Sequence, residues 1–195
     1  MKYLALALSL IAAPAAADSI CDIPPHRWEA ELRDGLVGPW IVDNGPGIGK
    51  FGTIVRQLPQ EPDQKADILP HNESVGMLLH SPEGPLMYDI SFVPDERWNL
   101  SSATDSPFAN LEQLNSADIG VLAGDGCNID DLPRVLMEAE AMIDGTRLEA
   151  TIHLFMVNEE ILVGAGAWIM LPDGVHMEGR RPITMHRPSG TEAQQ

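Results

Sequence analysis

The sequence predicts an all-β fold, an antiparallel up-and-down barrel of about eight strands with a short N-terminal helix, and leaves a β-sandwich as the alternative. Three observations carry this. Segments of about ten residues alternate apolar and polar side chains with the period that a half-buried strand requires. Compact turn motifs separate them: Ile143-Asp144-Gly145-Thr146, Val157-Asn158-Glu159-Glu160 and Pro172-Asp173-Gly174. Strand follows strand without the helical crossover that parallel pairing demands, so neighbours are expected to pair antiparallel.

Taken in order, the chain opens with Lys2, an apolar run over residues 3–13 and the small residues Ala15-Ala16-Ala17. This is the pattern of a secretory signal peptide over 1–17, too short in its apolar part to serve as a spanning helix. Ile20 is bulky where a lipidation site before Cys21 would need a small residue, so Cys21 is read as part of the exported chain. The expectation is a periplasmic or extracellular protein with no integral membrane segment once the signal is removed. About 180 residues remain, enough for one core. They are read as a single barrel domain over 18–187 and a disordered tail over 188–195. In an oxidising compartment Cys21 and Cys127 are expected to pair. Closing a loop of about 100 residues this way contributes roughly 4.7 kcal/mol in the chain-entropy picture.

Residues 25–34 predict the helix: Pro25 suits its first turn, Trp28 and Leu32 share a face, and Gly35 supplies a stop. A strand begins near Trp40. The Gly/Pro-rich stretch 43–50 matches neither phosphate-binding glycine pattern and reads as a turn-rich connection or bulged strand. Residues 50–58 read as one strand. Segments 73–80 and 85–93 predict a hairpin, with Met77 and Leu79 on one side of the first strand and Leu86, Tyr88, Ile90 and Phe92 on one side of the second. Periodicity weakens over 94–131, where a short helix at 107–114 and a brief strand at 119–124 are expected. Residues 133–187 then form a four-strand meander. Val135, Met137, Ala139 and Ala141 share one face of its first strand, and Leu148, Ala150, Ile152, Leu154 and Met156 one face of its second.

The formal net charge of −17 repels phosphate backbones and anionic headgroups, which argues against nucleic acid as a partner. Little in the chain points to chemistry. Glu138, Glu140, Glu149, Thr151 and His153 share the polar face of adjacent strands, which reads as a solvated exterior. His176, Glu178 and His186 include two metal-ligand types, but the two histidines lie roughly 33 Å apart along an extended strand. The methionines are spread as core fillers, not clustered as copper ligands. Among the reaction motifs considered, no nucleophile elbow, HExxH or haem-attachment pattern occurs, and no catalytic residue, metal site or cofactor is assigned.

A short helix followed by Gly38-Pro39-Trp40 at the first strand resembles the opening of lipocalin and related calycin barrels. The resemblance implies that Trp40 closes the barrel bottom and that a basic side chain of the last strand, Arg187 or alternatively Arg181, packs across it. The Thr-Asp-Tyr turn familiar in lipocalins is absent. The resemblance further implies a small apolar or amphipathic ligand in the lumen. Leu148, Ile152, Leu154 and Met156 would make that lumen hydrophobic, and the small side chains of Ala139 and Ala165 would leave room in it; a solid core is the alternative. The functional expectation is an exported soluble binding protein. A non-enzymatic accessory or structural subunit of a bacterial envelope complex is the alternative, and an exported enzyme of unknown reaction the third reading.

Overall fold

The computed structural model describes residues 19–82, 84–95 and 127–189. The signal pattern at 1–17, the helix expected at 107–114, the strand at 119–124 and the tail from residue 190 lie outside the described residues. Single 3-10 turns at Ile20–Asp22 and Pro25–Arg27 lead into the helix α1 (Trp28–Leu36). Trp28, Leu32 and Leu36 recur at helical spacing and are all buried. Gly35 does not end the helix as the sequence suggests. Burial of Leu36 carries it one residue further, and Val37 turns to extended backbone.

Ten strands follow: β1 (Gly38–Asn44), β2 (Gly47–Phe51), β3 (Ile54–Leu58), β4 (Gln64–His71), β5 (Ser74–Ser81), β6 (Gly84–Phe92), β7 (Arg134–Ile143), β8 (Thr146–Asn158), β9 (Ile161–Met170) and β10 (Met177–His186). Eight of them run β1-β4-β5-β6-β7-β8-β9-β10, and β10 pairs back onto β1, so the sheet closes into an antiparallel barrel with a lipocalin-like arrangement of helix and strands. Closure decides between barrel and sandwich: the circuit leaves no edge strand within these eight. The remaining two form a hairpin outside the circuit. The first half of β10, from Met177 to Arg180, pairs with β2, while Ile183 to His186 pairs with β1. The chain leaves the barrel wall between these regions at Gly45-Pro46, where the Gly45 N–H donates to the Pro182 carbonyl at 3.1 Å.

Two local expectations change. Residues 50–58 are a hairpin, not one strand, because Gly52 takes a φ of +62° and turns the chain between β2 and β3. Strand β4 has no counterpart in the sequence reading. Of its residues only Ala66 and Ile68 are buried, and Pro70 lies near its end, so its alternation is short and weak. The turns of the meander fall where expected. Asp144 and Gly145 both take positive φ between β7 and β8, the conformation in which an Asp-Gly pair serves a two-residue hairpin.

Two cores result. The larger lies inside the barrel and extends onto α1. A smaller one sits on the outer face of β8 and β9, where Leu132, Phe155, Val157 and Val163 pack with Ile20, Ile129 and the disulfide Cys21–Cys127. The disulfide joins positions 106 residues apart, with Cα atoms separated by 5.8 Å. It therefore holds the segment before the helix against the strand wall, shielding an apolar patch that the barrel alone would leave wet.

Candidate functional site

The end of the barrel beside α1 is closed. Trp40 is fully buried, and its indole N–H donates to the Leu36 carbonyl at 2.8 Å. The Arg187 guanidinium stacks over the Trp40 ring, 4.2 Å from its centroid. It also donates to the Pro39 carbonyl at 3.2 Å and to the Gly35 carbonyl, tying β10 to the helix end. Desolvation draws the Arg187 pKa down, opposed by the charge of Glu160, yet a guanidinium so placed stays charged. A second stack, absent from the sequence reading, lies nearby: Arg134 packs 5.3 Å from the Trp28 ring and donates to the Pro94 carbonyl at 3.1 Å. Above these aromatic rings, Met77, Met137, Leu154, Met156, Leu162 and Met185 are fully buried and fill the lumen.

Toward the other end the side chains shrink and a cavity of about 350 Å³ opens. Leu148, Ala150 and Ile152 of β8, Gly166 and Trp168 of β9, and Ile183 of β10 supply much of its apolar wall. The register explains the space: Ala139 faces Ala150 across β7 and β8, and Ile152 faces Gly166 across β8 and β9. At the corresponding face of the closed half, Met156 is opposed by Leu162. Gly166 is needed for close packing here, since a Cβ added to it would lie 2.4 Å from the Cδ1 of Ile183.

Of the lumen residues expected from the sequence, Leu148 and Ile152 line the cavity. Leu154 and Met156 lie on the same face but deeper, within the packed core. Ala139 is buried level with the cavity, in register with Ala150, without lining it. Ala165 is not a lumen residue. It stands in register with His153 and Pro182, while its neighbours Gly164 and Gly166 are the positions paired with the inward-facing Leu154 and Ile152. Alternation therefore turns Ala165 to the outside.

The wall near the mouth carries a polar group that periodicity did not single out. Asn44, at the end of β1, is buried and donates from Nδ2 to Gln64 Oε1 at 3.3 Å. Arg181 is only 9% exposed. Its Nη2 meets Glu61 Oε1 at 2.6 Å, whereas its Nη1 is buried with no hydrogen-bond partner. Arg181, the sequence reading's alternate for closing the bottom, instead belongs to the open half with Asn44, Gln64 and Glu61. Tyr88 completes the group; burial pushes its phenol up to about 12, so it keeps its proton at neutral pH and can donate. Glu61 comes from the loop between β3 and β4, with prolines at 59 and 62 nearby. Such a loop has no hydrophobic period to reveal it.

The other candidates are surface features. Glu140 and Glu149 are register partners, and Arg147 holds both, at 2.8 and 3.3 Å, on the exposed exterior. His176 lies 3.2 Å from Glu178, which Lys50 also approaches at 3.4 Å. The His176 contact is the main cause lowering the Glu178 pKa, against partial desolvation. His186 is at the far end of the strand that Met177 begins. Among the described residues no group of three His, Cys, Asp or Glu side chains is placed to hold a metal. No described helix is long and apolar enough to cross a membrane.

No family model and no curated protein matches the chain. What the geometry provides is a closed eight-stranded barrel, plugged at one end and hollow at the other, able to enclose a small ligand.

Proposed function

We propose that the protein is an exported, non-enzymatic carrier that holds a small amphipathic ligand in the open half of its barrel. The observation that carries this reading is the cavity: a concave, largely apolar space in the size range of small-molecule sites, with a few convergent polar groups on one wall. Ligands of mixed polarity suit such a wall, since their apolar part leaves water while their polar part meets Asn44, Arg181 or Tyr88. The signal pattern at 1–17 supports export, and the Cys21–Cys127 disulfide is in keeping with an oxidising compartment.

The test is saturable binding of a neutral apolar fluorophore, N-phenyl-1-naphthylamine, to the protein with residues 1–17 removed. The expected result is a blue-shifted, saturable emission corresponding to one site per chain. Ala150→Leu, which fills the middle of the cavity, should abolish it while leaving the far-ultraviolet dichroism and cooperative melting in place. Absence of saturable emission from the folded wild type, or unchanged binding by a folded Ala150→Leu protein, would overturn the carrier reading.

A further inference from the structure

We infer that the ligand is an aliphatic monocarboxylate whose head group is received by Arg181 and whose chain runs along the apolar wall toward Ile152. This rests on the carrier reading above and names the ligand class. Arg181 and Glu61 are the only charged side chains among the described residues that line the cavity. They are unequally placed. The Arg181 side chain is 10% exposed and the Glu61 side chain 43% exposed. The glutamate thus reaches the guanidinium from the solvent side.

This arrangement leaves the guanidinium short of acceptors. Glu61 engages Nη2, while Nη1 is sealed from water without a partner. A buried donor left in that condition costs free energy that any suitably placed acceptor recovers, and charged donors recover the most. A carboxylate is the matching group: planar, anionic and able to accept along the edge of the guanidinium fork. In the cavity it shares Arg181 with Glu61, and the protonated Tyr88 phenol on the same wall offers another donor. The apolar remainder of the ligand meets Leu79, Leu86, Leu148, Ile152 and Ile183. A quaternary ammonium head finds no equivalent: Glu61, the one carboxylate among the described residues of the wall, is already engaged, and the guanidinium repels it.

The net charge of −17 does not oppose this. Repulsion from surface carboxylates is screened beyond roughly 8 Å at physiological ionic strength, whereas contact with a desolvated guanidinium is screened much less. Glu61 is then a competitor for the same cation, and its removal should strengthen binding of an acid.

The experiment is displacement of N-phenyl-1-naphthylamine by decanoate, decanol and decyltrimethylammonium, in the wild type, Arg181→Met and Glu61→Gln. Decanoate is expected to displace the fluorophore from wild type at concentrations about tenfold below decanol, with the ammonium weakest. Arg181→Met should bring decanoate and decanol together, each displacement referred to the fluorophore affinity measured for that variant. Glu61→Gln, which leaves the buried guanidinium in place, should tighten decanoate severalfold and leave decanol unchanged, an outcome that serves even if Arg181→Met does not fold. Decanoate binding no better than decanol in wild type, a preference that survives Arg181→Met, or no decanoate gain in Glu61→Gln would overturn the assignment while fluorophore binding kept the carrier reading intact. Failure of the wild type to bind the fluorophore would instead remove the carrier reading itself.

Discussion

On one face of strand β8, Leu154 and Met156 are fully buried in a packed core, whereas Leu148 and Ile152 border a cavity of about 350 Å³ farther along the same strand. Alternation is the same in both halves, and so are the strands. What differs is the size of the side chains brought opposite one another. Near the helix, Trp28, Leu36 and Trp40 cap a layer of methionines and leucines. Toward the mouth, the register sets Ala139 against Ala150 and Ile152 against Gly166. A barrel of eight strands encloses just enough room for side chains to fill. Replacing large residues by alanine and glycine over a few rungs converts a core into a site.

Paired truncations on β8 give the largest contrast. Leu154→Ala should cost about 2–5 kcal/mol, since it opens a hole among fully packed neighbours, while Leu148→Ala, already beside a cavity, should cost about 1 kcal/mol. Urea denaturation of the two variants measures the difference directly. Equal losses would mean that the open half is as tightly packed as the closed one.

Tyr88 sharpens the comparison through pH. Its phenol is raised by burial from the ordinary 10.0 to about 12. A raised folded-state pKa means the folded protein holds the proton more tightly, so the associated stability is fully present below about pH 10 and is lost as pH rises toward about 12, at most roughly 3 kcal/mol. Denaturation midpoints of wild type and Tyr88→Phe, compared at about pH 9 and about pH 11, should diverge in that direction. In the protein with residues 1–17 removed, which lacks Tyr3, phenolate absorbance reports Tyr88 alone. Titration at the ordinary tyrosine value would show that water reaches the cavity wall at that depth.

The smallest effect belongs to the cap. Arg187→Ala removes a stack on Trp40 and hydrogen bonds to Pro39 and Gly35, for an expected loss of about 1–2 kcal/mol. Arg187→Lys should recover part of it, because the charge returns without the planar fork. Thermal melting measures both. Neither variant should alter fluorophore affinity, and a change in affinity would show that the two ends of the barrel are coupled.

Much of the frame was legible because it is written in local pattern. The meander of β7 to β10 has long alternations and turn residues that leave little choice of conformation, as Asp144 and Gly145 illustrate. The pairing of Cys21 with Cys127 followed from there being only two cysteines in a chain whose opening residues read as an export signal. Strand β4 was not legible, since two buried side chains do not make a period. The site was less legible still. Arg181 in sequence is another basic residue on the last strand, and Glu61 another acid in a chain that has many.

The amino-acid sequence by itself determined an all-β chain, the inward face of its longest strands and its disulfide, because each depends on neighbours along the chain or on a unique pair. Whether the lumen is hollow was decided only by tertiary structure. Volume depends on which residues face across strands, and a shift of one residue reverses every side chain, as the outward Ala165 demonstrates. The same closure brings a loop carboxylate onto a buried guanidinium and leaves one of its nitrogens without a partner. That juxtaposition joins parts of the chain more than a hundred residues apart, and no local pattern encodes it.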